Sequence, residues 1–218
     1  MGLKEFDCFI FDMDGTVSDT NRLIYDSFNY IARTYRGREY SEGEITKMFG
    51  PPEEDALLAV VGKDVIDRAM ADYLAFYRSQ HRTLARLHVG IEDALARLKK
   101  RGKKIALFTG KGKHTTAISL EEFGIGRYFD FVVTGNDVLN HKPSGDGIRK
   151  ILEHFHVHEE RALMVGDSVG DVKAAHDAHV AVAAVLWDSY SKDQVMRMKS
   201  DYLFHDVQEF SRWLERLP

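Results

Sequence analysis

The sequence contains a single cysteine, Cys8, among its 218 residues. One thiol excludes an internal disulfide framework and is typical of a reducing compartment, so we expect a cytoplasmic protein. The sequence also lacks an apolar run long enough to span a bilayer, and its first residues lack the apolar region of a signal peptide. We therefore expect no membrane partner.

No sign of charge dominates the chain, because 34 acidic residues face 30 basic residues and the formal net charge is -4. Proteins that bind nucleic acid or anionic membranes through charge carry a basic excess, so this balance argues against both partners. The hydrophobic fraction of 44% and the charged fraction of 29% are those of a globular protein. A chain of this length can bury one good core and a smaller second core.

The strongest chemical signal is an apolar run, 9–11, followed by Asp12 and Asp14. Such a run predicts a buried strand, and residues two apart on an extended chain point the same way, so both carboxylates could face one pocket. Gly15 allows a sharp turn, and Thr16 adds a hydroxyl donor. Two carboxylates this close repel each other unless they share a cation or a proton. We interpret the cluster as a functional site rather than a turn.

Residues from about 18 to 85 repeat apolar side chains at helical spacing, and we predict helices there with no strand between them. Ser41 and Glu44 predict a capping box at the start of a short helix. The break at 49–52, Phe-Gly-Pro-Pro, is our candidate for a specificity element. A different pattern begins near Gly90, so we place a domain boundary close to it.

Strands and helices alternate from Gly90 onward, which predicts an α/β fold with a parallel, doubly wound sheet. The predicted strands after the first are 104–108, 131–133, 162–165 and a last apolar run at 180–186. A closing helix is predicted at 207–214. Ligands of such sheets bind at the carboxyl ends of the strands, which is where the sequence places Asp12 and Asp14.

A second strand end carries Thr109 and Gly110 just before a predicted helix. A hydroxyl and glycine-freed amides at a strand tip suit a phosphate oxyanion. Taken alone, Thr109 is explained about equally well as a helix cap. Lys111 and Lys113, taken alone, are expected to be solvated charges.

Two further segments supply a lysine and two acids. Lys142 could give a compact positive charge to a bound phosphate, and Pro143 would fix the backbone after it. Asp167 leaves a strand end, and Asp171 lies one helical turn further on. An acid cluster beside Asp12 would complete an oxygen-rich cage suited to Mg²⁺. The alternative for Asp167 alone is a helix N-cap.

These four segments, in this order, resemble the four motifs of the haloacid dehalogenase (HAD) superfamily. The matching residues are Asp12 with Asp14, Thr109, Lys142, and Asp167 with Asp171. Within the superfamily the chain is most similar to the phosphoglycolate phosphatase branch, which includes pyrophosphatase-like members. The resemblance implies a Rossmann-like core over residues 1–17 and 88–218 and an inserted all-helical cap over 18–87.

The resemblance also implies a phosphatase with Mg²⁺ as cofactor and a covalent mechanism. Asp12 would attack phosphorus and become an aspartyl phosphate. Asp14 would protonate the leaving oxygen and then draw a proton from the attacking water. Asp12, the main-chain carbonyl of Asp14, and Asp167 would hold the metal.

Phosphate binding is expected from Thr16, Thr109, Gly110 and Lys142, and Asp171 would keep Lys142 in place. The cap would exclude bulk water from the reaction. We expect a small-molecule phosphate substrate, a phosphorylated metabolite of phosphoglycolate or pyrophosphate size. A monomer is favoured.

Other functions share parts of this pattern. A phosphomutase would use the same core residues, with a sugar hydroxyl in place of water as acceptor. A phosphonate-cleaving hydrolase needs a cap lysine for a Schiff base, and the cap lysines are Lys47 and Lys63. A catalytically silent HAD-like binding module is the non-enzyme alternative, although a scaffold has no use for a costly acid cluster.

Overall fold

Eight strands and ten α-helices make up the computed structural model, which describes residues 4–218. The strands are β1 (Cys8–Phe11), β2 (Ser18–Asp19), β3 (Arg86–Leu87), β4 (Lys104–Phe108), β5 (Phe131–Val133), β6 (Ala162–Gly166), β7 (Ala181–Val185) and β8 (Tyr202–Phe204). The helices are α1 (Asn21–Arg36), α2 (Glu42–Thr46), α3 (Glu53–Val61), α4 (Ile66–Leu84), α5 (Ile91–Lys100), α6 (Lys113–Phe123), α7 (Asp146–Phe155), α8 (Val169–Asp177), α9 (Lys192–Met196) and α10 (Val207–Arg216).

Six of the strands form one parallel sheet in the order β5-β4-β1-β6-β7-β8. Strand β1 lies between β4 and β6, and all four of its residues are buried. Phe9 and Phe11 point into the apolar layer beneath α5 and α10, while Cys8 and Ile10 point into the layer beneath α7 and α8. Burial on both faces explains why β1 is a continuous apolar run. The predicted doubly wound α/β sheet is confirmed.

The strand order reverses around β1, so the crevice at the carboxyl ends of β1, β4 and β6 is a topological switch point. Asp12, Thr109 and Asp167 are the residues that directly follow these three strands. The fold therefore brings three of the predicted site residues to one edge of the sheet.

Helices α1 to α4 form a separate apolar cluster around the fully buried rings of Tyr73 and Tyr77. The predicted capping box is present at α2, where Ser41 accepts from the Glu44 amide and Glu44 accepts from the Ser41 amide. One core residue, Ile118 of α6, also packs into this cluster. The predicted helices of this segment are confirmed.

The prediction of no strand within 18–85 is wrong at its edge, because β2 pairs antiparallel with β3. Each strand has only two residues, too few for a hydrophobic period to appear in the sequence. The ribbon joins the two connections between the helical segment and the sheet. We propose that the domains divide there, into a core of 1–17 and 88–218 and a cap of 18–87; residues 1–3 lie outside the described residues.

The sequence analysis also missed β8 and α9, which have three and five residues. Strand β8 extends the sheet at the β7 edge, and its Phe204 completes an aromatic group with Phe210 and Trp213. Across residues 4–218, every helix is too short or too polar to cross a membrane.

Candidate active site

Asp12 continues β1, with its amide donating to the carbonyl of Val165 at 2.9 Å, and is 8% exposed. The chain then turns at Gly15, whose φ is 83°. A Cβ on Gly15 would lie 2.6 Å from Asp167 Oδ2, so only glycine allows Asp167 to approach this turn. The turn thus places Asp167 next to the segment that carries Asp12 and Asp14.

Lys142 bridges two of the predicted acids. Its Nζ donates to Asp12 Oδ1 at 2.8 Å, to Asp171 Oδ1 at 2.6 Å and to the Phe108 carbonyl at 2.7 Å. The other Asp171 oxygen, Oδ2, accepts from the amide and hydroxyl of Ser168. We call Asp12, Lys142 and Asp171 the core cluster, because all three residues belong to the sheet domain.

Burial dominates the electrostatics of the core cluster. It raises the pKa of Asp12 to about 7, against the lowering effect of Lys142, and the charges of Asp171 and Asp14 add to the rise. For Lys142, burial acts to lower the pKa, but the Asp12 and Asp171 carboxylates outweigh it and raise that pKa above its usual value. Burial, followed by the Asp171 and Asp12 charges, raises the pKa of Asp167 well above its usual range. Three acids are crowded here against one lysine.

This acid cluster has the composition of a divalent metal site. Oxygens of Asp12, Asp167 and Asp171 lie within 4.8 Å of one another. Thr16 donates to Asp167 Oδ1 at 2.9 Å, whereas Asp167 Oδ2 is buried without a hydrogen-bond partner among the described residues. A buried carboxylate oxygen needs a partner, and a hard cation such as Mg²⁺ prefers oxygen ligands. Both Asp171 oxygens are already engaged, which suits a supporting position behind the metal ligands.

Thr109 and Gly110 lie on the opposite side of the crevice from Asp167. The Thr109 amide donates to the Val133 carbonyl at 3.0 Å, and its hydroxyl accepts from the Lys111 amide at 3.2 Å. Both Thr109 and Gly110 line the cavity. Thr16, by contrast, is fully buried with its hydroxyl turned to Asp167 and does not line the cavity, so phosphate binding by Thr16 stays a prediction.

Lys111 is not the solvated charge that the sequence led us to expect, because its side chain is 1% exposed. Its Nζ lies 3.1 Å from Asp14 Oδ2 and 3.5 Å from Glu53 Oε1. The ammonium also sits 5.0 Å from the centre of the Tyr77 ring, within cation–π range. Lys113, two residues on, is exposed as expected. We call Asp14, Lys111 and Glu53 the cap-side cluster.

Burial and charge act in opposite directions on Lys111. Burial alone lowers its pKa, and the neighbouring Asp14 and Glu53 carboxylates reverse this and hold the pKa well above its usual value. The carboxylates around Lys111 therefore favour its charged form inside the cavity. Asp14 Oδ1 also accepts from the hydroxyl of Thr20, which fixes the orientation of the Asp14 carboxylate.

Glu53 is the first residue of α3, so it reaches the core from the cap. Its Oε2 accepts from the Gly112 amide at 2.7 Å, and its Oε1 accepts from the Thr115 hydroxyl at 2.7 Å. These donors stand at the start of α6, where helix geometry leaves amides without partners and favours a negative charge. A carboxylate of the cap thus caps a helix of the core.

The 49–52 loop of the cap touches the core through backbone. A Cβ on Gly110 would lie 2.6 Å from the Gly50 carbonyl oxygen, so the two chains meet without a side chain between them. Nearby, Phe49 packs edge-on against Tyr190 at a centroid distance of 5.7 Å. We call this contact of Gly50 with Gly110 the seam.

The cap and core enclose a cavity of about 270 Å³. Of the predicted site residues, Asp12, Asp14, Thr109, Gly110, Lys142 and Asp167 line it. The cap contributes Asn21, Ile24, Phe28, Met48, Phe49, Gly50, Pro51, Glu53 and Ala56 to its walls. This volume lies just below the roughly 300–1,000 Å³ of drug-sized ligand pockets, so the cavity suits a small ligand.

A parallel sheet with acids at its central strand ends defines a class, and comparison with known proteins identifies it. The chain belongs to the haloacid dehalogenase-like hydrolases, whose family model matches residues 9–185. It is 33% identical over 198 residues to a protein of Caldanaerobacter subterraneus named PpaX, covering 91% of this chain and 90% of that one. It is 28% identical over 200 residues to pyrophosphatase PpaX of Bacillus cereus, covering 92% of each.

A crystal structure described as a predicted phosphoglycolate phosphatase from Haemophilus somnus superposes with a TM-score of 0.83. The match covers 97% of this chain and 99% of that chain at 22% identity. This likeness confirms the fold.

Lys111, Glu53 and Tyr190 are among the cavity residues that the sequence did not single out. Lys111, taken alone, has the pattern of a solvated charge, and Glu53 stands in a run of three acids, 53–55, that is typical of an exposed first helical turn. Tyr190 is 49% exposed and lies after β7, where no motif is recognisable. The available signal for Lys111 was its place between two glycines, directly after the predicted phosphate loop.

Proposed function

We propose that the protein is a Mg²⁺-dependent phosphatase that hydrolyses a small phosphorylated metabolite through an aspartyl phosphate on Asp12. The observation that carries the proposal is the pairing of Asp12, held by Lys142, with the unpartnered oxygen of Asp167 in one small cavity. The relatives named pyrophosphatase and phosphoglycolate phosphatase support phosphate chemistry. The cavity volume supports a substrate of pyrophosphate or phosphoglycolate size.

The acid cluster supports Mg²⁺ as the cofactor. Asp12, the main-chain carbonyl of Asp14, and Asp167 would hold the ion, and Asp167 Oδ2 is the oxygen still without a partner. A bound Mg²⁺ supplies positive charge that offsets the repulsion between a phosphate dianion and the carboxylates.

Two carboxylates carry the bond changes. An Asp12 oxygen bonds to phosphorus as the bond from phosphorus to the leaving oxygen breaks, and Asp14 gives that oxygen a proton. Asp14, now a carboxylate, takes a proton from a water whose oxygen attacks phosphorus, which releases phosphate and restores Asp12. Thr20 and Lys111 contact the two Asp14 oxygens and would hold this side chain at the cavity wall during both steps.

Phosphate oxygens would be held by Lys142, Thr109 and the Gly110 amide, which share the cavity wall with Asp12. Asp171 holds Lys142 from behind at 2.6 Å, a positioning role rather than a catalytic one. The cap would exclude bulk water while the phosphoenzyme exists and open for product release. A cytoplasmic location and a monomer stay predictions.

The structure weakens one alternative. A phosphonate-cleaving hydrolase needs a cap lysine in the cavity, but Lys47 and Lys63 are both exposed and neither lines it. A phosphomutase would use the same core residues, and a bisphosphorylated activator in the assay separates it from a phosphatase.

A turnover screen tests the proposal. Phosphoglycolate, pyrophosphate, hexose phosphates, nucleotides and a phosphopeptide are assayed for phosphate release with saturating Mg²⁺ and with excess EDTA. We expect release from small phosphates that EDTA abolishes and Mg²⁺ restores. Full activity in EDTA, or a phosphopeptide turned over a hundredfold faster than every small ester, would overturn the proposal.

A further inference from the structure

The side chains that line the cavity carry an excess of negative charge. Four carboxylates and two ammonium groups line the cavity, namely Asp12, Asp14, Glu53, Asp167, Lys111 and Lys142. The cap contributes only one charged group to this wall, the Glu53 carboxylate, and otherwise apolar or uncharged residues. A bound divalent cation would bring the charge to zero before the substrate enters.

Lys111 is the one cation placed to receive a second anionic group of the substrate. Because Asp14 is the proposed donor to the leaving oxygen, Lys111, 3.1 Å from Asp14, lies on the leaving-group side. Lys142 belongs to the opposite side, since it contacts Asp12 and Asp171. The ammonium of Lys111 is however shared between two carboxylates, Asp14 and Glu53.

Glu53 cannot easily move away from Lys111. Hydrogen bonds from the Gly112 amide and the Thr115 hydroxyl fix both of its oxygens, and the residue is 8% exposed. A buried charge held in this way acts on its neighbours at short range with little screening by solvent. It offsets the charge of Lys111 and repels any anion that enters beside it.

We propose that Glu53 is a specificity-determining residue that selects phosphate esters with an uncharged leaving group. A leaving group such as a neutral alcohol meets the apolar cap wall formed by Ile24 and Phe28 and has no charge to be repelled. A second phosphate or a carboxylate would have to displace Glu53 from Lys111 or remain unpaired beside it, which is unfavourable for a buried charge. The inference rests on the proposed phosphatase function and narrows its substrate class.

A matched pair of substrates isolates the charge. Phosphoglycolate and its amide have the same size and differ by one negative charge on the leaving group. With saturating Mg²⁺ we expect kcat/KM of the wild type for the amide to exceed that for phosphoglycolate by at least about tenfold. Pyrophosphate should be as poor as phosphoglycolate. A wild type that prefers phosphoglycolate or pyrophosphate overturns the inference without any variant.

Glu53→Gln is the decisive variant. Its amide oxygen can accept from Gly112, and its amide nitrogen can donate to Thr115, whose hydroxyl still has the Gly112 carbonyl as acceptor at 3.0 Å. Removal of the charge alone should raise kcat/KM for phosphoglycolate, relative to kcat/KM for its amide, by at least about tenfold. Adding Lys111→Met should cancel this gain. An unchanged ratio in Glu53→Gln contradicts the proposal.

Glu54→Gln is the control, because Glu54 is the exposed neighbour on the same helical turn and its loss should leave the ratio unchanged. Binding of the two compounds to Asp12→Asn, measured calorimetrically, separates this inference from the proposed function. If Asp12→Asn binds the amide more tightly than phosphoglycolate but the wild type turns over neither, the proposed phosphatase function is refuted and the proposed selection by Glu53 is supported. Equal binding would refute the selection even in an active phosphatase.

Discussion

The cavity has two halves, and each contains a buried lysine between two carboxylates. In the core cluster, Lys142 joins Asp12 and Asp171, and all three residues belong to the sheet domain. In the cap-side cluster, Lys111 joins Asp14 to Glu53, which comes from the cap. The half with the proposed nucleophile is therefore complete within the core, whereas the half proposed for the leaving group includes a carboxylate from the cap.

The largest expected effect is on turnover, and it differs between variants of Asp12, which contacts Lys142, and of Asp14, which contacts Lys111. Asp12→Asn should lower kcat by at least about 10⁴-fold, because an amide cannot attack phosphorus. Asp14→Asn should still form the aspartyl phosphate with a reactive leaving group but fail to hydrolyse it. Rapid-quench trapping of phosphoenzyme measures both variants. Normal circular dichroism with comparable turnover in Asp12→Asn would remove the covalent mechanism.

Next in size is the effect of removing each lysine. Lys142→Met leaves two buried acids without their cation and should lower the free energy of unfolding by about 3–5 kcal/mol. Lys111→Met should lower it by only about 1–2 kcal/mol, because Thr20 still donates to Asp14 and two donors still hold Glu53. Urea denaturation at fixed pH measures both. A Lys111 variant less stable than the Lys142 variant would reverse our ranking of the two halves.

A smaller effect follows from the pKa of Asp12, raised by burial to about 7. Without metal, the folded state keeps this proton to a higher pH than the unfolded state does. The contribution of Asp12 to the free energy of unfolding is therefore fully present below about pH 4 and is lost as the pH rises to about 7. The slope contributed by Asp12 should reach about 1.4 kcal/mol per pH unit. Comparing wild type with Asp12→Asn in urea between pH 5 and 7 isolates it. Mg²⁺ should flatten the slope, and a wild type that gains stability relative to Asp12→Asn over this range would contradict the sign.

The smallest effect is expected at the exposed rim of the same domain contact. Arg82 of α4 donates to Glu122 of α6 at 2.7 Å, but the Arg82 side chain is 83% exposed. Arg82→Gln should change the free energy of unfolding by less than about 1 kcal/mol and leave kcat unchanged. A loss as large as that of Lys111→Met would show that the rim, not the buried cluster, holds the cap.

The core side of the site could be predicted in part from sequence, because several of its residues follow recognisable strands. Asp12, Thr109 and Asp167 each end an apolar run, and parallel strands bring such ends to one edge. Lys142 has no strand before it, and only the order of the four motifs singled it out. The roles assigned to these residues stay predictions until the variants are measured.

The cap-side half could not be predicted, since it depends on contacts between distant segments. Lys111 and Lys113 are only two residues apart, and the approach of Glu53 and Tyr77 buries the first and not the second. Glu53 in turn looks like its exposed neighbours, because nothing local shows which acid of a helical turn meets another domain. Strand β8 was not predicted for a different reason, because its three residues are too few to show a hydrophobic period.

The seam has a consequence for redesign of the enzyme. Gly50 and Gly110 meet backbone to backbone, so at this contact the approach of the cap to the core is limited by main chain and not by a side chain. Gly110→Ala would place a methyl group against the Gly50 carbonyl oxygen. We expect it to push the cap away from the core and admit water to the cavity, rather than to enlarge the cavity for a larger substrate. Room for a larger substrate would instead come from smaller side chains at Ile24 or Phe28, which line the cavity from the cap.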